Sequence, residues 1–230
     1  MKKGYFTKLE IVLLASSLTL ILASFLIFDR ENYFNMIASL IGALALIFCA
    51  KGNPFGQVLM IIFASLYVYI AWIIRYYSEV ITYLCMTLPM AIISLISWLK
   101  NPFEKGKMEV KVNVLLKKEF VFSFVLSAIV MVLFFFILRA FNTANLIVST
   151  ISIFTSFLAC YLTFRRSEYF ALAYACNDIV LIILWTIATI SSIDYLSVVI
   201  CFLVFLFNDL YTFINWRKIK KTVRKKFIKF

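Results

Sequence analysis

Two apolar segments near the C-terminal end of the chain each contain an asparagine followed directly by an aspartate. The first is ACNDIVL, with Asn177 and Asp178, and the second is LFNDLYTF, with Asn208 and Asp209. Amide and carboxyl groups inside an apolar helix need a hydrogen-bonding partner, a proton or a cavity, because burying them unpaired is costly. Such groups can bind a polar solute, or they can hold two helices together. Their role depends on the elements that carry them.

Composition indicates that these elements lie in a lipid bilayer. Of the 230 residues, 64% are hydrophobic, 15% are charged and 25 are Phe, with a mean hydropathy of +1.01. One water-soluble core cannot bury that much apolar surface. The length of the apolar stretches and their lack of strand-like alternation predict an all-α integral membrane protein. Eight stretches are long enough to span the bilayer: 11–28, 33–50, 54–74, 79–99, 119–139, 143–164, 168–190 and 193–215.

The basic residues predict the orientation of the eight spans. Of the 23 Lys and Arg residues, only Arg30, Arg75 and Arg139 fall in outer loops if the N-terminus is inside, and the other 20 are inside. Short cytoplasmic loops are enriched in Lys and Arg. Both termini are therefore predicted to be cytoplasmic. The first stretch could instead be a signal peptide, but the DRENYF that follows it offers no small-residue cleavage site.

The order of spans and tryptophans predicts an internal repeat. Twice, a span ending in tryptophan is followed by an outer loop and by a span with tryptophan and a basic residue at its end: Trp72, Trp98 and Lys100, then Trp185, Trp216 and Lys218. An odd number of crossings separates the two units, so they insert in parallel. This predicts a three-plus-one-plus-three core with one extra N-terminal helix. The predicted parts are a cytoplasmic leader with the extra helix (1–32), a first three-helix bundle (33–100), a cytoplasmic loop with the linker helix (101–142), a second three-helix bundle (143–216) and a basic cytoplasmic tail (217–230).

Helical geometry predicts that the two Asn–Asp pairs share one depth in the membrane. Asn177 is nine residues past Glu168, and Asn208 is eight residues before Trp216. At a rise of about 1.5 Å per residue, both amides lie about 12–14 Å from the inner boundary. Both pairs are thus expected in one polar layer near mid-membrane.

Aromatic side chains lie on the same helix faces as these pairs, at spacings of three and four residues. Aromatic rings stack on flat heterocycles, and amides can bind ribose hydroxyls or a ring carboxamide. The alternative is that the amides only hold helices together. We predict a site for a nucleoside-like solute formed by eight residues of spans seven and eight: Phe170, Tyr174, Asn177, Asp178, Asn208, Asp209, Tyr211 and Asn215.

Other features of the sequence argue against other classes of function. The chain has no His, and its five cysteines all fall inside spans without ligand-like spacing, so neither a metal centre nor a cofactor is expected. No reactive constellation accompanies the buried acids, so the chain is predicted not to be an enzyme. The basic tail is explained by orientation and contact with anionic lipid rather than by nucleic acid. A non-transporting scaffold, recognisable as a sealed bundle, stays an alternative.

Several motifs resemble the PnuC-type vitamin transporters. They are Asn53, Gly56 and Tyr69 in the first half, LPM before SWLK, RRSEYF entering span seven, and NDLYTFINWRK at the end. The resemblance covers roughly residues 33–220. It implies a fold similar to the sugar-exporting SWEET proteins. It also implies facilitated uptake of a nucleoside-like vitamin precursor, nicotinamide riboside first, across a bacterial plasma membrane, with trapping by an intracellular kinase.

Departures from the family pattern bear on the cargo. Nicotinamide riboside carriers typically show E-x-W-x-x-W-x-x-x-N entering span seven. Here Glu168 and Asn177 match, while Phe170 and Ala173 replace the tryptophans, and Cys160 stands where a glutamine is common in span six. Thiamine or a deoxynucleoside is therefore an alternative cargo within the same family. The sequence leaves open a homo-oligomer and the coupling of transport to protons.

Overall fold

The computed structural model describes residues 5–73, 75, 77–104 and 109–228. Within these residues, eight helices are long and apolar enough to cross a membrane, which confirms the predicted all-α membrane fold. The α-helices are α1 (Lys8–Phe28), α2 (Tyr33–Ala50), α3 (Phe55–Ile73), α4 (Tyr77–Thr82), α5 (Leu88–Leu99), α6 (Lys117–Ala140), α7 (Leu146–Phe164), α8 (Tyr169–Thr189) and α9 (Leu196–Ile228). A π-helical turn, Tyr83–Thr87, joins α4 and α5 into one span, and a 3₁₀ turn, Ile193–Tyr195, precedes α9.

Local sequence explains why the first and last helices extend beyond the predicted spans. Thr7 and Glu10 form a capping box, in which Thr7 N donates to Glu10 Oε2 at 2.7 Å and Glu10 N donates to Thr7 Oγ1 at 3.3 Å. This pairing satisfies two free N–H groups and starts α1 at Lys8. At the other end, 217–228 contains neither Gly nor Pro, the residues that usually end a helix. Accordingly, α9 continues from the membrane segment into the basic tail.

The fourth span departs from regular α geometry next to a proline. Pro89 is the second residue of α5 and predicts a kink, because proline has no N–H to donate. Immediately before it, Leu88 N donates to Tyr83 O, five residues earlier, in the pattern of a π-helix. The Tyr83 ring also stacks on Tyr67 of α3 with ring centres 4.9 Å apart. The fourth span is therefore two helical pieces joined by a π-turn.

Helix contacts group the spans around a centre formed by two bundles. In the first bundle, α3 packs against α2 and α5, and in the second bundle α8 packs against α7 and α9. The bundles meet where α2 contacts α9 and where α5 contacts α7. The linker helix α6 packs on α7, and the extra helix α1 packs on α2 and α9. The two Asn–Asp pairs thus lie on neighbouring helices of the second bundle.

Matching hydrogen bonds join the two bundles at the end that the sequence predicts to be cytoplasmic, here called the inner end. Trp98 Nε1 donates to Thr163 O at 2.9 Å, and Trp216 Nε1 donates to Cys49 O at 2.8 Å. Each indole thus binds the last turn of the first helix in the other bundle. The two indole rings are 5.4 Å apart, and both are fully buried. This two-fold correspondence supports the predicted parallel repeat.

The turns that follow α2 and α7 match in the same way. Gly52 and Arg166 occupy corresponding positions, with φ angles of 67° and 54° in the left-handed region. The loop before α6 crosses both turns, because Val110 N donates to Gly52 O at 2.8 Å and Asn113 N donates to Arg166 O at 2.9 Å. Gly52 suits this place since a Cβ there would lie 3.3 Å from Val110 Cγ1. The loop therefore ties the inner ends of the bundles together.

Candidate functional site

A small cavity with several polar groups in its wall lies where the two bundles face each other. It is formed by α3 and the fourth span on one side and by α7 and α8 on the other. The space open to the centre of a water molecule is ≈ 10 Å³. A nucleoside-sized solute therefore enters only if side chains or helices move. The cavity is lined by Gln57, Met60, Thr87, Met90, Ala91, Ser94, Cys160, Thr163 and Tyr174.

Gln57 is the principal polar residue of the cavity that sequence reasoning missed. It lies in the first turns of α3, its side chain is buried, and its Nε2 donates to Cys49 Sγ at 3.3 Å. A thiol is a weak acceptor, so this amide is available to a stronger partner. The signal was present in the sequence, because Gln57 directly follows Gly56 of the family motif and is the one amide side chain in a mainly apolar helix.

Of the eight residues predicted to bind the solute, Tyr174 lines this cavity. Its hydroxyl lies 3.4 Å from Cys160 Sγ, a contact that joins α8 to α7. Cys160 occupies the position where the family commonly has glutamine, so the departure falls on the cavity wall. The replacement exchanges an amide, which donates and accepts hydrogen bonds, for a small and weakly polar thiol.

Two other predicted residues of α8 contact protein rather than the cavity. Asn177 Oδ1 accepts a hydrogen bond from Thr155 Oγ1 of α7 at 2.8 Å. Phe170 packs edge-on against Trp216, with ring centres 4.8 Å apart, and also contacts Trp98. Phe170 therefore belongs to the aromatic cluster at the inner end of the bundles.

The predicted residues of α9 contact the first two helices. Asn208 Nδ2 donates to Ser17 Oγ of α1 at 2.9 Å. Tyr211 OH donates to Glu10 Oε1 at 3.0 Å, also on α1. Asn215 Nδ2 donates to the backbone oxygen of Ala50 at 2.8 Å. The remaining two predicted residues, Asp178 and Asp209, are buried close to each other on the neighbouring helices α8 and α9.

The residues predicted to form one polar layer therefore make contacts in several different places. Tyr174 lines the cavity, Phe170 and Asn215 lie at the inner junction, and Asn208 and Tyr211 hold the extra helix. Hydrogen bonding between helices, the alternative that the sequence left open, describes the contacts of both asparagines. Cargo binding by these residues stays a prediction.

Ion pairs add to the closure of the inner end. Arg166 Nη1 donates to Ser97 Oγ at 3.0 Å, and burial lowers the pKa of the Arg166 guanidinium, with a smaller effect from Arg165 beside it. The ion pairs join different helices or the turns beside them: Lys51 with Glu10, Arg165 with Glu119, and Lys220 with Glu168. In this conformation the inner end is held by ionic and aromatic contacts together.

Eight membrane helices within the described residues, arranged in two bundles with a small cavity between them, are consistent with a multi-pass solute transporter. Comparison with known proteins identifies its family. The chain belongs to the nicotinamide mononucleotide transporter family, whose model matches residues 32–218. The family is one of transporters, in agreement with the prediction that the chain is not an enzyme.

Two relatives are similar to the chain over most of its length. One is the nicotinamide riboside transporter PnuC of Neisseria mucosa, which is 25% identical over 201 residues, covering 85% of this chain and 76% of the relative. The other is the crystal structure of the vitamin B3 transporter PnuC, with a TM-score of 0.81 at 22% identity, covering 96% of this chain and 95% of that one. The structural likeness shows a shared fold.

Proposed function

We propose that this protein carries a nucleoside-like vitamin precursor across the plasma membrane of a bacterium, with nicotinamide riboside as the first candidate. Transport is facilitated diffusion, and phosphorylation inside the cell retains the cargo. Both termini face the cytoplasm. The observation that carries the proposal is the cavity between the bundles, where the polar groups of Gln57, Thr87 and Ser94 face Tyr174. The relative from Neisseria mucosa, named for nicotinamide riboside, supports the choice of cargo.

The lining of the cavity suits a flat, hydroxylated cargo. The Tyr174 ring offers a stacking face, and the amide of Gln57 can both donate to and accept from ribose hydroxyls or a carboxamide. Met60 and Met90 are unbranched and flexible, so they can move aside as the cargo enters. Release toward the cytoplasm requires the contact between Trp98 and Trp216 to open. We therefore assign this conformation to a closed stage of the transport cycle.

Uptake into proteoliposomes tests the proposal directly. Purified protein is reconstituted, and labelled nicotinamide riboside, thiamine, riboflavin and deoxynucleosides are supplied without an imposed ion gradient. We expect one of these compounds, nicotinamide riboside first, to equilibrate across the membrane faster than in protein-free vesicles. Uptake of none of them by folded, correctly inserted protein would favour the scaffold alternative.

Substitutions in the cavity locate the binding site. Gln57→Leu removes hydrogen bonds to the cargo, and a loss of about 1–3 kcal/mol corresponds to a fall in affinity of about five- to 150-fold. Tyr174→Phe keeps the stacking face and is expected to be mild, whereas Tyr174→Ala deletes it and is expected to be severe. Tyr33, exposed at the start of α2, is the matched control for the two tyrosine changes. Normal affinity in Gln57→Leu and Tyr174→Ala would place the cargo elsewhere.

A further inference from the structure

The carboxyl groups of Asp178 on α8 and Asp209 on α9 form a buried pair in the membrane. Their side chains are 4% and 2% exposed, and they lie close together on two helices that pack against each other. Among the residues that the structure describes, no N–H or hydroxyl group donates to Asp178 Oδ2 or Asp209 Oδ1. The pair therefore lacks the donors that normally satisfy a buried carboxylate.

The groups around the pair supply no positive charge. Tyr174 of α8, Cys49 of α2 and Cys201 of α9 are its titratable neighbours, and each is neutral when protonated. From α7, Cys160 faces Tyr174 rather than the acids. The Glu10 carboxylate of α1 binds elsewhere, to Lys51 and Tyr211. Within the described residues, neither acid has a lysine or arginine as a charge partner.

We propose that Asp178 and Asp209 are a proton-binding site that holds at least one proton between α8 and α9 throughout the transport cycle. A proton on one carboxyl group makes that group a hydrogen-bond donor to the other, whereas two carboxylates can only accept. Two adjacent carboxylates in a medium of low dielectric constant would repel each other strongly. The bound proton converts this repulsion into a link between the helices.

The location of the pair indicates a resident proton rather than a transported one. Both helices belong to the second bundle, so the link need not break when the two bundles separate. The two acids are not among the residues that line the cavity, although Tyr174, one turn before Asp178, does line it. The link therefore stabilises α8, the helix that presents Tyr174 to the cavity. The two acids themselves do not contact the cargo.

The dependence of stability on pH tests the bound proton. An exposed aspartate has a pKa of about 3.9, so from about pH 6 to about pH 8 the unfolded chain holds no proton on these groups. The folded protein then binds more protons than the unfolded chain, and its stability falls as the pH rises. The expected contribution of the pair is a fall in the folding equilibrium constant of about tenfold or more per pH unit.

Asparagine variants distinguish the contribution of Asp178 and Asp209 to the pH dependence of stability from the contribution of other titratable groups. Asp178→Asn or Asp209→Asn replaces the proton by an amide N–H, and each is expected to weaken the pH dependence of unfolding in detergent. Asp194→Asn, on the exposed 3₁₀ turn, is the matched control for loss of an aspartate outside the buried pair. Identical pH dependence in the wild type and both pair variants would overturn the proposal.

Infrared spectroscopy provides a test that does not depend on refolding. The reconstituted wild type at about pH 7 should show the carbonyl stretching band of a protonated carboxylic acid, far above the pH at which exposed carboxyls titrate. The Asp178→Asn, Asp209→Asn double variant should lack that band. Absence of the band from the wild type would overturn the proposal. So would uphill uptake driven by an inward proton gradient and lost in Asp178→Asn, because the proton would then be transported.

Discussion

Asn208 and Tyr211 hold the extra helix α1 against α9. Asn208 reaches Ser17 at mid-helix, and Tyr211 reaches the buried carboxylate of Glu10 nearer the inner end. The same carboxylate also accepts from Lys51 Nζ at 3.2 Å. The extra helix is thus fixed at two heights by polar contacts within an apolar surface. In the bilayer, where lipid is as apolar as the helix surfaces, such bonds specify which helices associate.

A double-mutant cycle on Asn208 and Ser17 tests this role. Asn208→Leu and Ser17→Ala should each lower thermal stability in detergent, and their coupling energy should be about 0.6–1.7 kcal/mol, as for other hydrogen bonds between membrane helices. Affinity for the cargo should be unchanged in both variants. A loss of affinity without a loss of stability would instead assign Asn208 to cargo binding, the role predicted from its type and depth.

At the scale of elements, the fourth span is the helix with a built-in break. The π-turn Tyr83–Thr87 places Thr87 at the cavity, and Pro89 has no N–H to bond the turn before it, as a continuous α-helix would require. Neighbouring residues Met90 and Ala91 also line the cavity. A change in the bend of this span would therefore alter the cavity wall facing α7 and α8.

Replacing the proline should change transport more than assembly. Pro89→Ala restores an N–H donor and allows a continuous helix, which we expect to raise thermal stability by up to about 3 kcal/mol. Uptake should slow several-fold because the span bends less readily. The measurements are the thermal midpoint in detergent and the initial rate of uptake. Unchanged stability together with unchanged uptake would show that the break is not a hinge.

The tryptophans that join the bundles provide a test of the internal repeat. Trp98→Phe and Trp216→Phe each remove one indole donor from equivalent places, so each should cost about 1 kcal/mol of stability. Trp72→Phe, on an exposed face at an outer helix end, is the control and should cost little. Equal losses for the two buried residues would match their equivalent hydrogen bonds. A large loss for one alone would contradict the equivalence.

For the whole molecule, the central prediction is the orientation in the membrane. Single cysteines are introduced at Glu31 and Lys100, which are exposed at opposite ends of the bundle, in a background without the native cysteines. In intact cells, an impermeant thiol reagent should label position 31 and leave position 100 unmodified, because basic loops stay inside. The reverse pattern would invert the proposed topology.

The sequence by itself determined the membrane class, the eight spans, the family and the expected orientation. These properties follow from sums over local segments, namely hydropathy over about 20 residues and the basic charge of each loop. The depth of a side chain also follows from counting residues along a helix. For this reason the two asparagines could be placed in a polar layer without any tertiary information.

Only the tertiary structure decided which polar groups face the cavity. That choice depends on the rotation of each helix about its axis and on which helices are neighbours, and packing sets both. Asn208 and Ser17 are 191 positions apart in the chain, and no local pattern links them. Gln57, by contrast, stands out in the sequence only as the one amide side chain of α3, and the approach of α7 and α8 makes it part of a cavity. The chemistry of the site could be read from residue types, whereas its location required the packed bundle.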